Sequence, residues 1–120
     1  MTPLQNKPVI WIGSSHEDWK AFPGDVQDVM GYALHLAQIG EKATNAKPLA
    51  GFKGVLEIRD NFQGDTYRAI YTVKFHEVVY VLHAFQKKSK KGIATPKSEI
   101  DLIERRLKKA VEHHDKNYVQ

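Results

Sequence analysis

Three runs rich in β-branched and aromatic residues occupy the middle of the chain, and only short links separate them. Residues 55–60 read VLEIRD, residues 66–74 read TYRAIYTVK and residues 78–86 read VVYVLHAFQ. The links, residues 61–65 (NFQGD) and 75–77 (FHE), are too short for a crossover. Links of this length favour neighbouring antiparallel strands. The sequence therefore predicts a meander of three antiparallel strands, and the rest of the chain must pack against it.

The segment before these strands predicts a short strand followed by helix. Residues 7–12 (KPVIWI) are largely apolar and end at a glycine and two serines. Residues 15–39 predict a helical hairpin or one bent helix, broken near Pro23 and closed by Gly40. An apolar stripe at helical spacing marks its second half: Val26, Val29, Met30, Ala33, Leu34 and Ala37.

A final helix is predicted after the third run of the sheet. Thr95 is a suitable N-cap and Pro96 a suitable first residue. We expect the tail beyond His113 to fray. The apolar stripe of this helix consists of Ile100, Ile103, Leu107, Ala110 and Val111.

These elements predict an α+β fold in the order β, α(α), β, β, β, α. Residues 41–54 hold few periodic apolar positions and are expected to form a loop. Neither a repeat nor a boundary interrupts the chain, so residues 1–120 are interpreted as a single domain. Helices packed on one face of the sheet would leave its other face open for function.

The composition excludes several classes of protein. The absence of cysteine excludes disulfides, thiolate metal sites and a cysteine nucleophile. Residues 1–8 lack the apolar stretch of a signal peptide, and no apolar run approaches the roughly 20 residues that a membrane helix needs. We therefore expect a cytoplasmic protein with no membrane partner.

Positive charge is concentrated in the centre of the chain. Residues 1–40 carry 2 basic and 4 acidic side chains, residues 41–97 carry 11 and 5, and residues 98–120 carry 5 of each. These sum to the net charge of +4. A localised basic surface attracts polyanions, nucleic acid first, although an acidic protein would also be attracted.

Strand alternation predicts which basic side chains share a face. Arg68 shares its face with Ile70 and Thr72, and Glu57 with Arg59. On the third strand, His83 and Phe85 are expected to share a face with Val79 and Val81, a row that Lys87 continues. Neighbouring strands can thus gather four candidate site residues: Arg59, Arg68, His83 and Lys87. Such a cluster would hold phosphates, because guanidinium groups pair with phosphate oxygens and lysines supply point charges.

Each candidate also has a structural interpretation. Arg59 can pair with Glu57 or Asp65, and His83 can be a hydrogen-bonded core histidine rather than a general acid or base. The lysines at 87, 88, 90 and 91 can form a solvated loop. Arg68 is harder to explain in this way, because it lies mid-strand among half-buried positions, where an arginine needs partners.

The sequence lacks the motifs of metal sites, of nucleotide-binding loops and of serine hydrolases. The six histidines form no HxxxH pair and no metal signature, so no metal is expected. Glycine-rich phosphate loops and a GxSxG nucleophile motif are absent as well. No cofactor is predicted.

A resemblance to a known family begins at residue 57. The pieces are L-x-I-R, a glycine before Y-R-x-x-Y, then L-H-x-F-x-K-K, then T-P-x-x-E-I. Their combination and spacing resemble the phage Gp49-like branch of the RelE/ParE superfamily, which includes the HigB toxins. The resemblance covers about half of the chain strongly, over residues 57–109.

The resemblance implies a small α+β fold with a curved antiparallel sheet. It implies the toxin of a type II toxin–antitoxin pair, an endoribonuclease that cuts mRNA on the ribosome. The implied partners are the ribosome, mRNA and a neutralising antitoxin, often a helix-turn-helix protein of the HigA type. Operator DNA is contacted only through the toxin–antitoxin complex.

Site residues follow from the matched motifs. Arg68 matches the arginine of the Y-R motif and Arg59 the basic position on the preceding strand. Lys87 and Lys88 match the basic pair that follows the last central strand, and Lys90 and Lys91 extend that basic patch toward RNA. The histidine of L-H-x-F is His83, whose role the resemblance leaves open.

The implied mechanism needs no metal: the RNA 2′-hydroxyl attacks the neighbouring phosphate, and arginine and lysine stabilise the developing charge. Some relatives use a C-terminal tyrosine or a histidine for proton transfer, but that role is not carried onto Tyr118, which lies beyond the expected helix. One alternative keeps the fold and inhibits DNA gyrase, as ParE-type relatives do. Another is a non-catalytic module that binds nucleic acid or protein.

Overall fold

One five-stranded sheet organises the protein, whose computed structural model describes residues 6–87 and 95–119. The strands lie in the order β1-β5-β4-β3-β2, and all neighbours are antiparallel except β1 and β5, which are parallel. The predicted α+β class is confirmed, with one strand more than expected. The elements are β1 (Val9–Trp11), α1 (Ser15–Lys20), α2 (Gly24–Gln38), β2 (Ala46–Pro48), β3 (Val55–Phe62), β4 (Asp65–Thr72), β5 (Val79–Lys87) and α3 (Lys97–Tyr118).

The predicted meander is present as β3, β4 and β5. Its first turn is tighter than the predicted five-residue linker, because Phe62 pairs with Asp65 and leaves only Gln63 and Gly64 between the strands. Both turn residues have positive φ, 52° and 86°. Two-residue hairpins favour such turns because their twist matches that of the strands, and glycine adopts this φ without steric cost.

The prediction that residues 41–54 form only a loop is wrong. Ala46–Pro48 is a strand, β2, that pairs with β3 through Ala46↔Ile58, Lys47↔Glu57 and Pro48↔Leu56. A three-residue strand shows no periodicity in sequence, and proline is tolerated on an edge strand such as this one. Only pairing with β3 makes the segment extended.

A bulge in β5 changes which face its side chains occupy. Ile70 pairs with His83 but Tyr71 pairs with Val81, so Leu82 is an extra residue in the ladder. The expectation that His83 shares a face with Val79 and Val81 is therefore wrong. Val79 and Val81 pack under α2, whereas Leu82 and Phe85 belong to the hydrophobic cluster on the opposite face.

Helices cover both faces of the sheet, so the expectation of one fully open face is also wrong. One face packs against α1 and α2 through Met30, Ala33 and Leu34, although Val29 of the predicted stripe is exposed. The other face packs against α3 through Ile103 and Ala110. The part of this second face that lies beyond the N-terminal end of α3 carries the basic residues.

The final helix extends further than predicted. Instead of fraying after His113, α3 continues to Tyr118, because its last turns pack on the sheet. Tyr80 Oη lies 2.7 Å from His113 Nδ1, and His114 stacks on Phe75 with ring centroids 4.2 Å apart. Within the described residues, no helix is both long and apolar enough to cross a membrane.

Gly13 joins β1 to α1 beneath a side chain of α3. Its φ is +59°, and a Cβ built on it would lie 2.8 Å from Arg106 Nε. Arg106 donates hydrogen bonds to the Leu82 carbonyl (3.0 Å) and to Ser14 Oγ (2.9 Å), thereby connecting α3 with β5 and the start of α1.

We expect Gly13→Ala to lower the free energy of unfolding by about 1–2 kcal/mol, because the methyl group strains the left-handed backbone and displaces Arg106. Gly31→Ala is the matched control: Gly31 lies within α2, where an added methyl group would meet no other side chain within 4 Å. That change should stabilise the protein by about 0.5–1 kcal/mol. Urea unfolding measures both, and a Gly13→Ala protein as stable as the wild type would contradict the first expectation.

Candidate phosphate-binding site

The register of the central strands aligns the candidate residues in rows across the sheet. Arg59 pairs with Arg68, and Arg68 pairs with Phe85. The next row toward the centre contains Glu57, Ile70 and His83. On the outer side Lys87 pairs with Thr66. The bulge at Leu82 is what brings His83 and Phe85 onto the face of the two arginines. The four predicted residues within the described chain therefore lie on one face.

Glu57 holds the two arginines together. Its Oε1 accepts a hydrogen bond from Arg59 Nη2 at 2.9 Å, and its Oε2 accepts one from Arg68 Nη1 at 3.0 Å. Arg68 is 2% exposed and Glu57 7%, so this ion pair is buried. The Arg59 side chain is 42% exposed. A buried guanidinium is tolerated only when it is paired, and Glu57 provides the pairing.

Thr95 is a site residue rather than the N-cap that the sequence predicts. Pro96 occupies the N-cap position, and the helix begins at Lys97. The Thr95 hydroxyl accepts a hydrogen bond from Arg68 Nη1 at 3.1 Å and donates one to Glu57 Oε2 at 3.4 Å. The T-P pair signalled a helix start, and nothing in the sequence signalled that its hydroxyl faces the strands.

Lys87 lies at the end of β5 beside this cluster. It is 9% exposed. The pKa of its ammonium is lowered, first by desolvation and then by the positive charges of Arg68 and Arg59, with Glu57 opposing them. A phosphate placed here would relieve the repulsion among the cations. The lowered pKa also makes Lys87 a stronger proton donor than an exposed lysine.

His83 is held on both ring nitrogens. Nε2 lies 2.9 Å from Glu99 Oε2, and Nδ1 lies 3.4 Å from Arg106 Nη1. A neutral imidazole that donates from Nε2 and accepts at Nδ1 satisfies both contacts. Burial lowers the pKa of His83 more than the Glu99 carboxylate raises it. His83 also stacks on Phe85, with ring centroids 4.8 Å apart.

A cleft of about 330 Å³ opens onto the arginine pair between the sheet, the loop after β2 and the start of α3. The polar side chains in its wall are Glu57, Arg59, Arg68 and Thr95. Lys88, Lys90 and Lys91, predicted to bind RNA, lie outside the described residues. Within residues 6–87 and 95–119, no three His, Asp or Glu side chains are grouped to hold a metal ion. The cleft offers two guanidinium groups, with Lys87 nearby, as the chemistry for binding an oxyanion.

Tyr118 is remote from this cleft. It lies at the opposite end of α3 from Thr95, and the 22-residue helix places roughly 30 Å between them. Its ring packs against His114, with centroids 5.3 Å apart. Leaving Tyr118 out of the site is consistent with this position.

Comparison with known proteins identifies relatives by family and by fold. The family described as "Phage derived protein Gp49-like" matches residues 17–108. No curated protein matches the chain significantly. Among solved structures, a mutant of the E. coli toxin RelE in the free state is similar, with a TM-score of 0.59 and 14% identity. That match covers 84% of this chain and 98% of the other. At this identity the match shows the fold alone, and the RelE-like fold expected from the motifs is confirmed.

We expect Glu57→Ala to lower the free energy of unfolding by about 3 kcal/mol, because Arg68 would remain buried without its carboxylate. Asp60→Ala on the same strand is the control, since among the described residues no ion pair joins Asp60 to another side chain. It should change stability by no more than about 0.5 kcal/mol. Equal effects of the two substitutions in chemical denaturation would show that the ion pair contributes little.

His83 should make stability depend on pH below its ordinary pKa of about 6.5. Unfolded, it has an ordinary pKa of about 6.5, and folded its pKa is lower, so the unfolded chain binds the proton first. Stability from neutral His83 is present above about pH 6.5 and is lost as the pH falls. His83→Asn should flatten this loss in unfolding titrations. A His83→Asn slope identical to that of the wild type would refute the assignment.

Proposed function

Because the chain belongs to the Gp49-like phage-derived family, we propose that it is the toxin of a type II toxin–antitoxin pair that cuts mRNA on the ribosome. The observation that carries this proposal is the buried Arg68, which lines an open cleft together with Arg59, while Lys87 is near enough for both arginines to lower its pKa. The RelE-like fold supports it, because the similar structure is described as a toxin. An arginine fixed in position before any ligand binds favours stabilisation of a reacting phosphate over gyrase inhibition or simple binding, because preorganised donors lower the barrier to reaction.

In the proposed reaction, the 2′-hydroxyl of one nucleotide loses its proton to solvent water as its oxygen attacks the adjacent phosphorus, and the bond to the 5′-oxygen breaks as that oxygen takes up a proton. The products are a 2′,3′-cyclic phosphate and a 5′-hydroxyl, so water is not consumed in this step. Negative charge builds on the non-bridging oxygens in the transition state. Arg68 and Arg59 donate hydrogen bonds to those oxygens, and Lys87 supplies charge or a proton to the departing 5′-oxygen.

Glu57 holds Arg68 firmly but leaves Arg59 able to move. Arg68 is fixed by Glu57 and Thr95 before RNA arrives, so orienting it costs little entropy on binding. Arg59 is partly exposed and donates to the other carboxylate oxygen of Glu57, Oε1. It can turn toward a phosphate while Oε2 keeps Arg68 in place.

His83 is proposed to act as a positioning residue. Both of its nitrogens are engaged, by Glu99 and Arg106, and its ring supports Phe85. Phe85 is half-buried beside Arg68 and can stack on a base next to the cleaved phosphate. Loss of His83 should therefore disturb the placement of Phe85 rather than remove a proton carrier.

The remaining parts of the proposal follow from the family resemblance. The protein acts in the cytoplasm and needs no cofactor, and an antitoxin of the helix-turn-helix HigA type neutralises it. The same resemblance assigns RNA binding to Lys88, Lys90 and Lys91. Operator DNA is bound only by the complex with the antitoxin.

The decisive experiment maps 5′ ends of a defined mRNA in a translation reaction with purified protein. Arg68→Lys keeps the charge but loses the paired donors, and we expect cleavage to fall about 100-fold or more, as when one transition-state donor is removed. Arg105→Ala, an exposed arginine of α3, is the matched control and should cut like the wild type. Melting temperatures of both variants separate loss of chemistry from loss of fold.

Cuts inside the reading frame that require ribosomes and Arg68 would support the proposal. An mRNA left intact by excess wild-type protein would overturn it, and inhibition of gyrase supercoiling would then identify the alternative. Unchanged cleavage by the Arg68→Lys protein would remove Arg68 from the site.

A further inference from the structure

The edge strand β2 and the turn before it bring two polar side chains to the groove beside the arginines. Lys47 pairs with Glu57. The ladder continues one residue beyond the strand, because the Arg59 amide donates to the Asn45 carbonyl at 3.2 Å. Paired residues share a side of the sheet, so Lys47 extends the row of Glu57. Asn45 lies in the turn that leads into β2 and lines the same cavity as Arg59.

These side chains line a second cavity, of about 410 Å³. Its wall consists of Thr44, Asn45, Lys47, Pro48, Glu57 and Arg59. Pro48, Glu57 and Arg59 also line the cleft at Arg68, so the two cavities adjoin and form one groove across the strands. A volume of this size is within the range of small-ligand sites.

The chemistry of the second cavity differs from that of the first. Lys47 is exposed, and none of the ion pairs found in the described ranges includes it. The Asn45 amide offers both donors and an acceptor, and the Thr44 hydroxyl offers the same pair of functions. A cation beside an amide suits a ligand that combines an anion with a hydrogen-bonding edge. A nucleotide has both, as phosphate and base.

The distance between β2 and β4 also suits a continuous RNA chain. Neighbouring β-strands lie about 4.8 Å apart, so β2 is roughly 10 Å from β4, which carries Arg68. When the reacting phosphate of an RNA chain contacts Arg68 and the chain follows the groove across Arg59, a neighbouring nucleotide lies at β2.

We propose that this cavity is a subsite for a nucleotide flanking the cleaved phosphate, with Lys47 contacting its phosphate and Asn45 reading its base. The inference rests on the proposed function, because it takes RNA as the substrate. It assigns part of any sequence preference to the turn before β2, outside the motifs that resemble the toxin family.

The test compares cleavage maps of many mRNAs in a ribosome-containing reaction for the wild type, Asn45→Ala, Lys47→Ala and Lys20→Ala. Lys20 is an exposed lysine of α1, which packs on the opposite face, and it serves as the matched control. Asn45→Ala should reduce the nucleotide preference at one position beside the cut by about 5-fold or more. Lys47→Ala should lower cleavage at all sites alike and reduce the salt dependence of binding to an uncleavable 2′-O-methyl RNA, with a slope smaller by about 0.7.

The outcomes distinguish failure of the subsite from failure of the proposed function. The subsite is supported if the wild-type protein cuts mRNA, Asn45→Ala reduces the nucleotide preference and Lys47→Ala lowers cleavage at all sites. A wild type that cuts while Asn45→Ala and Lys47→Ala match Lys20→Ala overturns the subsite and leaves the proposed function standing. A wild type that cuts no RNA on the ribosome overturns the proposed function and this inference with it.

Discussion

The ion pair between Glu57 and Arg68 is the interaction on which the cleft depends. A guanidinium that is 2% exposed is costly to bury unless a carboxylate compensates its charge. The same carboxylate holds Arg59, and the Thr95 hydroxyl joins the cluster from the segment before α3. One buried acid thus organises three elements around a cationic site. It also keeps the arginines oriented in the absence of any other anion.

The helix α3 closes the second face of the sheet and fixes the edge of the site. Its apolar stripe packs on the sheet through Ile103 and Ala110, while Glu99 and Arg106 engage His83. Arg106 also reaches Ser14 across Gly13, where only a glycine leaves space for the guanidinium. The position of the cleft therefore depends on contacts between α3, β5 and the β1–α1 junction, which are far apart in sequence.

A single extra residue in β5 decides which side chains meet the arginines. Without the bulge at Leu82, His83 and Phe85 would point toward α2, and the face of Arg68 would carry neither ring. Sequence alternation alone placed His83 with Val79 and Val81, since it counts residues and does not register an insertion. The predicted gathering of His83 with Arg59 and Arg68 nevertheless holds, because the bulge shifts the residues that follow it.

The sequence by itself determined the meander, the amphipathic helices, the central positive charge and the motifs around Arg59, Arg68 and Lys87. These depend on local periodicity and composition, which act over a few residues. Only the tertiary structure decided the bulge, the strand β2, the length of α3 and the contacts of Thr95 and Glu57. Each of these arises from pairing or burial between distant segments, where packing overrides local propensity. Lys47 comes to the groove for the same reason, because pairing with β3 places β2 at the edge of the sheet, and the turn before β2 brings Asn45 beside it.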